Sequence, residues 1–195
     1  MGFGSQPIRL FSPVPQIMAT VGLMFFMPRD EILNARHFAL PHSDQRLVLM
    51  PQVLESFLKF RQRRSDPEAG GLLFGEFDFP LIRIVEASPP HLADQRWRTL
   101  FIPNRVLQRR LIKRRFRRGR HFVGEWHTHP EPFPNPSRLD LESLADAFLK
   151  SRHQLNYFVM IIVGNDMTAL NLWVSAHDAG AHHRLKELWG VVTGW

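Results

Sequence analysis

The stretch GEWHTHPEPFPNPSRLD, residues 124–140, sets two histidines one residue apart, runs through four prolines, and closes on Ser137 and Asp140. In a β-strand, residues i and i+2 point to the same face. His127 and His129 would therefore project together while Thr128 points away. Two adjacent imidazoles make half of a tetrahedral zinc site. The proline-rich turn carries the chain back so that Ser137 caps a helix and Asp140 sits in its first turn. Asp140 then offers a third, oxygen ligand. Three protein ligands and one open position is the arrangement of a catalytic zinc, because the open position holds the water to be activated. Each piece also has a plainer use. A His-x-His pair can decorate or pack a strand, and Ser137-x-x-Asp140 is a capping-box-like helix start that needs no metal.

Upstream of this stretch, HFVGEWHTH (121–129) reads as a strand that ends at Pro130. Downstream, Leu141, Leu144, Ala145, Phe148 and Leu149 recur at helical spacing and predict an amphipathic helix. YFVMIIV (157–163) predicts a fully buried strand, and Gly164-Asn165-Asp166 turns it into the alternating partner TALNLWV (168–174). Earlier, RLVLM (46–50) reads as a short strand. Pro51 opens a helix whose stripe of Val53, Leu54, Phe57, Leu58 and Arg61 runs to about Arg64. Pro67 and the glycines after it break that helix, and GLLFGEFDF, LIRIVEA and WRTLFI follow as strands. Asn104 caps a helix reaching Gly119, with Leu107, Leu111, Ile112 and Phe116 facing inward imperfectly, and a last short helix is expected over 181–189. The fold class is α/β, a mixed central β-sheet flanked by helices. The expected domain spans residues 45–195, with 1–44 as an amino-terminal extension.

Composition narrows the chemistry. The 195 residues contain no cysteine, which excludes disulfides, thiolate zinc sites and a cysteine nucleophile and fits a reducing cytoplasm. The net charge of +7 is local: residues 105–120 hold nine basic side chains and no acidic one, leaving 16 basic against 18 acidic elsewhere. That helix is read first as a solvated face, with nucleic acid or an acidic protein surface as the specialised alternatives. The apolar run 13–28 holds prolines and is shorter than the roughly 20 residues that span a bilayer. It is expected to be a dispensable extension, with an interfacial anchor or a later start at Met18, Met24 or Met27 as the other readings. Trp126 and Trp173 are expected to pack in the core or at its rim.

The pattern His127-Thr128-His129, seven residues, Ser137, two residues, Asp140 resembles the signature of the JAMM (MPN+) zinc isopeptidases, with Pro130 also matching. PEAGGLLFG (67–75) resembles the family's glutamate-strand context, with Glu68 in the glutamate position. The likeness covers about residues 45–175. It implies the cytidine-deaminase-like MPN/JAB fold and one Zn²⁺ per chain held by His127, His129 and Asp140. It also implies Glu68 as general base and then acid, and Ser137 as a steadying hydroxyl for the oxyanion. Glu125, two residues before His127, competes as a partner to an imidazole, while Glu76 and Glu131 are expected to be solvated.

The activity implied is removal of a ubiquitin-like modifier, or of a protein conjugated through its extended carboxyl-terminal tail, from a target. GEWHTHPE resembles the bacterial branch encoded beside E1-like and E2-like proteins, including antiphage operons. The tail is expected to add as a strand at a sheet edge, with residues 97–102 as candidates. A nucleic-acid-associated JAB module and a non-catalytic MPN scaffold are the alternatives. No membrane span is expected.

Overall fold

The computed structural model describes residues 34–189. Within them the chain runs β1 (Arg36–Ala39), β2 (Arg46–Leu49), α1 (Pro51–Phe60), β3 (Gly70–Asp78), β4 (Leu81–Ala87), β5 (Gln95–Trp97) and β6 (Leu100–Ile102). It continues through α2 (Arg105–Phe116), β7 (His121–Thr128), α3 (Arg138–Lys150), β8 (Phe158–Val163), β9 (Leu172–His177), β10 (His182–Arg184) and β11 (Glu187–Leu188). Nine strands form one sheet in the order β10-β9-β8-β7-β3-β4-β2-β1-β11, and β5 and β6 form a separate hairpin. The β7–β8 and β2–β4 pairs are parallel and the other pairs antiparallel. This is the mixed α/β sheet expected from the sequence.

Strand β8 shows how the layers are built. All six of its residues are buried. Phe158, Met160 and Ile162 pack with Leu144 of α3 on one face. Val159, Ile161 and Val163 join α1 residues Val53, Leu54 and Phe57 on the other. A strand covered on both faces reads as a continuous apolar run, as YFVMIIV does. Helix α1 starts with Pro51 at its first turn. Its Phe57 ring lies 5.2 Å from that of Trp126, which is 1% exposed. Burying a side chain of the size of Phe57 contributes roughly 1.5–3 kcal/mol.

Strand β7 carries the feature that aims the histidines. Leu73 pairs with Gly124 and Phe74 with Phe122, so Val123 is left over as a bulge. Gly124 has φ +155°, and a Cβ there would lie 1.9 Å from the Val159 carbonyl oxygen. Only glycine fits at this close approach. The extra residue lets both Val123 and Trp126 enter the core on the α1 side. Glu125 and His127 are left facing α2 and α3.

Several local expectations change. The helix expected over 181–189 is absent: β10 pairs with β9 and β11 with β1, so this segment caps both edges of the sheet. Asp178 accepts from the Gly180 and Ala181 amides at 2.8 Å and turns the chain into the β10 pairing, which overrides weak helical propensity. WRTLFI is a hairpin rather than one strand, broken by a turn at Arg98–Thr99. Helix α1 stops at Phe60, because Arg61 is extended and donates to the carbonyls of Asp166 and Ala169 at 2.5 and 3.3 Å. Helix α2 buries no residue, and its Phe116 is exposed. Leu149 of α3 is exposed as well.

The sheet begins ahead of residue 45. Strand β1 pairs with β2, and Arg36 binds Glu187 through Nε and Nη2 at 2.6 and 2.5 Å. The apolar run 13–28 and its methionines lie outside the described residues. Among the described residues no helix is long and apolar enough to cross a membrane.

Candidate metal centre

The end of β7 and the start of α3 bring together His127, His129 and Asp140. Their ligand atoms all lie within 4.8 Å of one another. His127 Nε2 is 3.1 Å from His129 Nε2, 3.4 Å separates His127 Nε2 from Asp140 Oδ1, and 3.5 Å separates His129 Nε2 from Asp140 Oδ2. Ligands about 2.0–2.2 Å from a tetrahedral ion stand roughly 3.3–3.6 Å apart, so the two His–Asp separations match such an ion and the imidazole nitrogens sit slightly closer. It is also the only such group of three or more among the described residues.

Each donor is held from outside. The His129 amide donates to the Val163 carbonyl at 3.0 Å, which ties the residue after β7 to the end of β8. The proline loop is fastened to the same place. The Asn165 amide donates to the Glu131 carbonyl at 2.8 Å, and Asn171 Nδ2 donates to the Pro132 carbonyl at 2.9 Å. A Cβ on Gly164 would lie 2.5 Å from the Pro132 oxygen, so the loop rests directly on that backbone. Ser137 then caps α3 in a full capping box. Its amide and hydroxyl both donate to Asp140 Oδ2 at 2.7 Å, and the Asp140 amide donates back to Ser137 Oγ at 3.2 Å. The cap and the ligand cluster share one carboxylate.

That sharing shows in the charges. Burial pushes the Asp140 carboxyl up, but the bonds from His127, His129 and Ser137 outweigh it and hold it well below the usual carboxylate range. Burial lowers His129, yet the Asp140 bond and the charges of Asp140, Glu68 and Glu131 win and raise it above its ordinary value.

Glu68 sits in the same cleft, 4% exposed. Burial pushes its carboxyl up to about 7, opposed by His129 and reinforced by Asp140 and Glu131. Its backbone is clamped from three sides. The Glu68 amide donates to the Trp97 carbonyl at 2.7 Å, Arg96 Nε donates to the Glu68 carbonyl at 2.5 Å, and the next amide, Ala69, donates to Thr128 Oγ1 at 2.9 Å. Thr128 points away from the histidines, as the strand spacing predicts, and this hydroxyl is its use. Thr128 stands inside the His-Thr-His pattern and Trp97 at the start of the candidate edge, but their bonds to the Glu68 segment, and all of Arg96's part, were not legible in the sequence. The cleft encloses about 560 Å³, with Leu100, Phe101 and Ile102 on the hairpin side.

The competing glutamates lie elsewhere or are otherwise engaged. Glu125 faces the cleft but accepts from Arg105 Nη1 at 2.7 Å, so its partner is α2 and not an imidazole. Glu131 is an exposed residue at the cleft rim, and Glu76 lies at the far end of β3, 3.9 Å from Arg120. Trp126 is core, its Nε1 donating to the Ser88 carbonyl at 3.0 Å. Trp173 is half-buried under the Arg184 guanidinium.

Comparison with known proteins agrees with this geometry. A family model described as prokaryotic homologs of the JAB domain matches residues 50–175. A CD-NTase/cGAS isopeptidase of Escherichia coli (strain TW11681) is 30% identical over 148 residues, covering 74% of this chain and 90% of the relative. A protein of the same name from Enterobacter hormaechei subsp. hoffmannii (strain UCI 50) is 32% identical over 146 residues, covering 73% and 81%. Among solved structures, protein DSY2949 from Desulfitobacterium hafniense superposes with a TM-score of 0.54 at 19% identity, covering 70% of this chain and 87% of that one, a likeness of fold alone. The chain belongs to the prokaryotic branch of the JAB-domain family.

Proposed function

We propose that this chain is a zinc-dependent isopeptidase that releases a ubiquitin-like modifier, or a protein conjugated through its carboxyl-terminal tail, from its target. The observation that carries the reading is the triangle of His127, His129 and Asp140 opening into the cleft that also holds Glu68. The names of the Escherichia coli and Enterobacter relatives support the reaction class and make a CD-NTase conjugate the first substrate to try. A bacterial antiphage or ubiquitin-like pathway in the cytoplasm, with E1-like and E2-like partners, suits that substrate.

His127, His129 and Asp140 would hold the ion. When bound, zinc polarises the scissile carbonyl and lowers the pKa of a water towards neutrality. Glu68, with a carboxyl near pH 7, accepts the proton of the attacking water and delivers it to the departing lysine amine. The clamp of Trp97, Arg96 and Thr128 keeps that carboxylate aimed into the cleft. The Ser137 hydroxyl, bonded to Asp140 Oδ2 at the lining of the same cleft, would steady the oxyanion. An extended tail adds beside the β5–β6 hairpin, where backbone hydrogen bonds hold it and small residues pass Phe101.

The test is a Glu68→Gln trap expressed in the native host and purified with its metal. We expect about one zinc per chain and a co-purifying target lysine joined to a modifier tail, both read by mass spectrometry, with the conjugate absent from the wild-type sample. Turnover that persists in Glu68→Gln but vanishes in Glu125→Gln would move the general base to Glu125. Recovery of unconjugated complex subunits alone would favour a scaffold.

A further inference from the structure

Helix α2 starts at the cleft and leaves it as a ridge of positive charge. Arg105, its first residue, lines the cleft. Twelve residues at about 1.5 Å each carry the helix roughly 18 Å along the sheet, to Phe116. Three of the nine basic residues in 105–120 are spent on holding the helix down. Arg105 binds Glu125, and Arg115 and Arg120 both bind Glu86, at 2.7, 2.6 and 2.7 Å.

The other six, Arg109, Arg110, Lys113, Arg114, Arg117 and Arg118, are exposed and pair with no carboxylate among the described residues. Arg109 and Lys113, and Arg110 and Arg114, are like charges one turn apart, which opposes the helix they stand on. An ordinary solvated face mixes signs, as α3 does with its Arg138–Glu142 and Asp146–Lys150 pairs. The chain outside the described residues offers no cover by charge: 1–33 and 190–195 hold two basic and two acidic side chains. The far end of the ridge is aromatic. Phe116 is 64% and Phe77 44% exposed, and the His121 ring lies edge-on to both at 5.5 and 5.3 Å.

We propose that the outward face of α2 docks an acidic face of the protein that supplies the cleaved tail. The partner is placed by continuity, because α2 follows directly from β6, the strand beside which the tail is proposed to lie. This inference rests on the isopeptidase reading for the partner's identity, and on the unpaired charge for its chemistry. Complementary charge of this kind speeds encounter and fixes orientation. The exposed phenylalanines at the far end give the same partner an apolar anchor.

The test reads binding, so it does not depend on turnover. The full chain is titrated into a labelled acidic peptide of about twenty Glu and Ser residues, and separately into a DNA duplex of similar charge, at physiological ionic strength. The wild type should bind the peptide, more weakly as salt rises. The combined Arg110→Glu, Arg114→Glu and Arg117→Glu variant should lose at least tenfold in affinity, and the same three positions as Gln should fall between. Equal peptide binding by wild type and charge-reversed protein would overturn the proposal. So would duplex DNA bound tenfold tighter than the peptide through the same three residues, which would make the ridge a nucleic-acid surface. Peptide binding that depends on the ridge, in a protein that cleaves no conjugate, would sink the isopeptidase reading and leave the acidic partner standing.

Discussion

Helices α2 and α3 lie on the same face of the sheet, joined by the bond from Arg105 Nη2 to Ser143 Oγ, yet they are held by opposite means. Helix α3 buries Leu144 against β8 and opens with a capping box that is also part of the ligand cluster. Helix α2 buries no residue, and its anchors are carboxylates on β7 and β4. The comparison separates two uses of charge. In α3 one half-buried carboxylate converges with two imidazoles and a hydroxyl. In α2 most of the charge points outward and meets no carboxylate among the described residues.

The largest effect is expected where the convergence is tightest. Asp140→Asn keeps the side chain's shape and an acceptor for the cap, but removes the negative ligand. Loss of an outer partner of a metal ligand typically costs 10–100-fold in affinity, so loss of this ligand should cost more than about a hundredfold. Metal content after dialysis and a chelator titration check this. Far-ultraviolet circular dichroism should stay unchanged, since Ser137 Oγ still caps the helix. Metal retained at wild-type affinity would mean that the three-residue cluster is only a helix cap.

Glu86 tests the other helix. It accepts from Arg115 Nε and Nη2 and from Arg120 Nη1, and its side chain is 15% exposed. Burial pushes the Glu86 carboxyl up, but the two arginines outweigh it and hold it below its ordinary value. Since the folded value lies below the unfolded one, this group's stabilisation is complete above the ordinary carboxylate value near 4.5. It is lost as pH falls through the lower folded value. Glu86→Gln should cost roughly 1.5–3 kcal/mol near neutral pH, the range for hydrogen bonds to charged groups. Its denaturation midpoint should also vary less with acid than that of the wild type. Because α2 has no buried side chain, the loss should be accompanied by local fraying of residues 105–120, readable by hydrogen exchange.

The same contrast explains what could be read from the sequence. His127, His129, Ser137 and Asp140 were legible because strand alternation and helix capping are local rules acting within fourteen residues. Strand β8 was legible because burial on both faces leaves an unbroken apolar run. The position of Glu68 came from resemblance, and the bonds that aim it reach Thr128 and the hairpin, 59 and about 30 residues away. No periodicity records such bonds. The anchoring of α2 to Glu125 and Glu86 is hidden for the same reason, so spacing alone offers Glu125 as a candidate partner to an imidazole that it does not serve. The edge strands β10 and β11 are set by the strands they pair with and not by their own two or three residues.

The smallest effect is also the one with opposite signs in the two helices. In α2, Arg110→Glu converts the Arg110–Arg114 repulsion into a Glu-to-Arg pair one turn apart, in the favourable order. Removing one unfavourable pair and adding one favourable pair should stabilise the protein by about 0.4–1 kcal/mol. In α3 the matching change, Lys150→Glu, breaks the exposed Asp146–Lys150 pair and puts a negative charge in the last turn, where the helix dipole disfavours it. It should destabilise by a similar amount. Urea midpoints at unchanged m-value, in low salt, measure both. Opposite signs would mean that α2 carries its unpaired charge against its own stability, as a docking surface would. A loss in α2 as well would mean that Arg110 supports the helix it stands on, and no change in α2 would mean that the end anchors at Glu125 and Glu86 set its stability with the surface charge neutral.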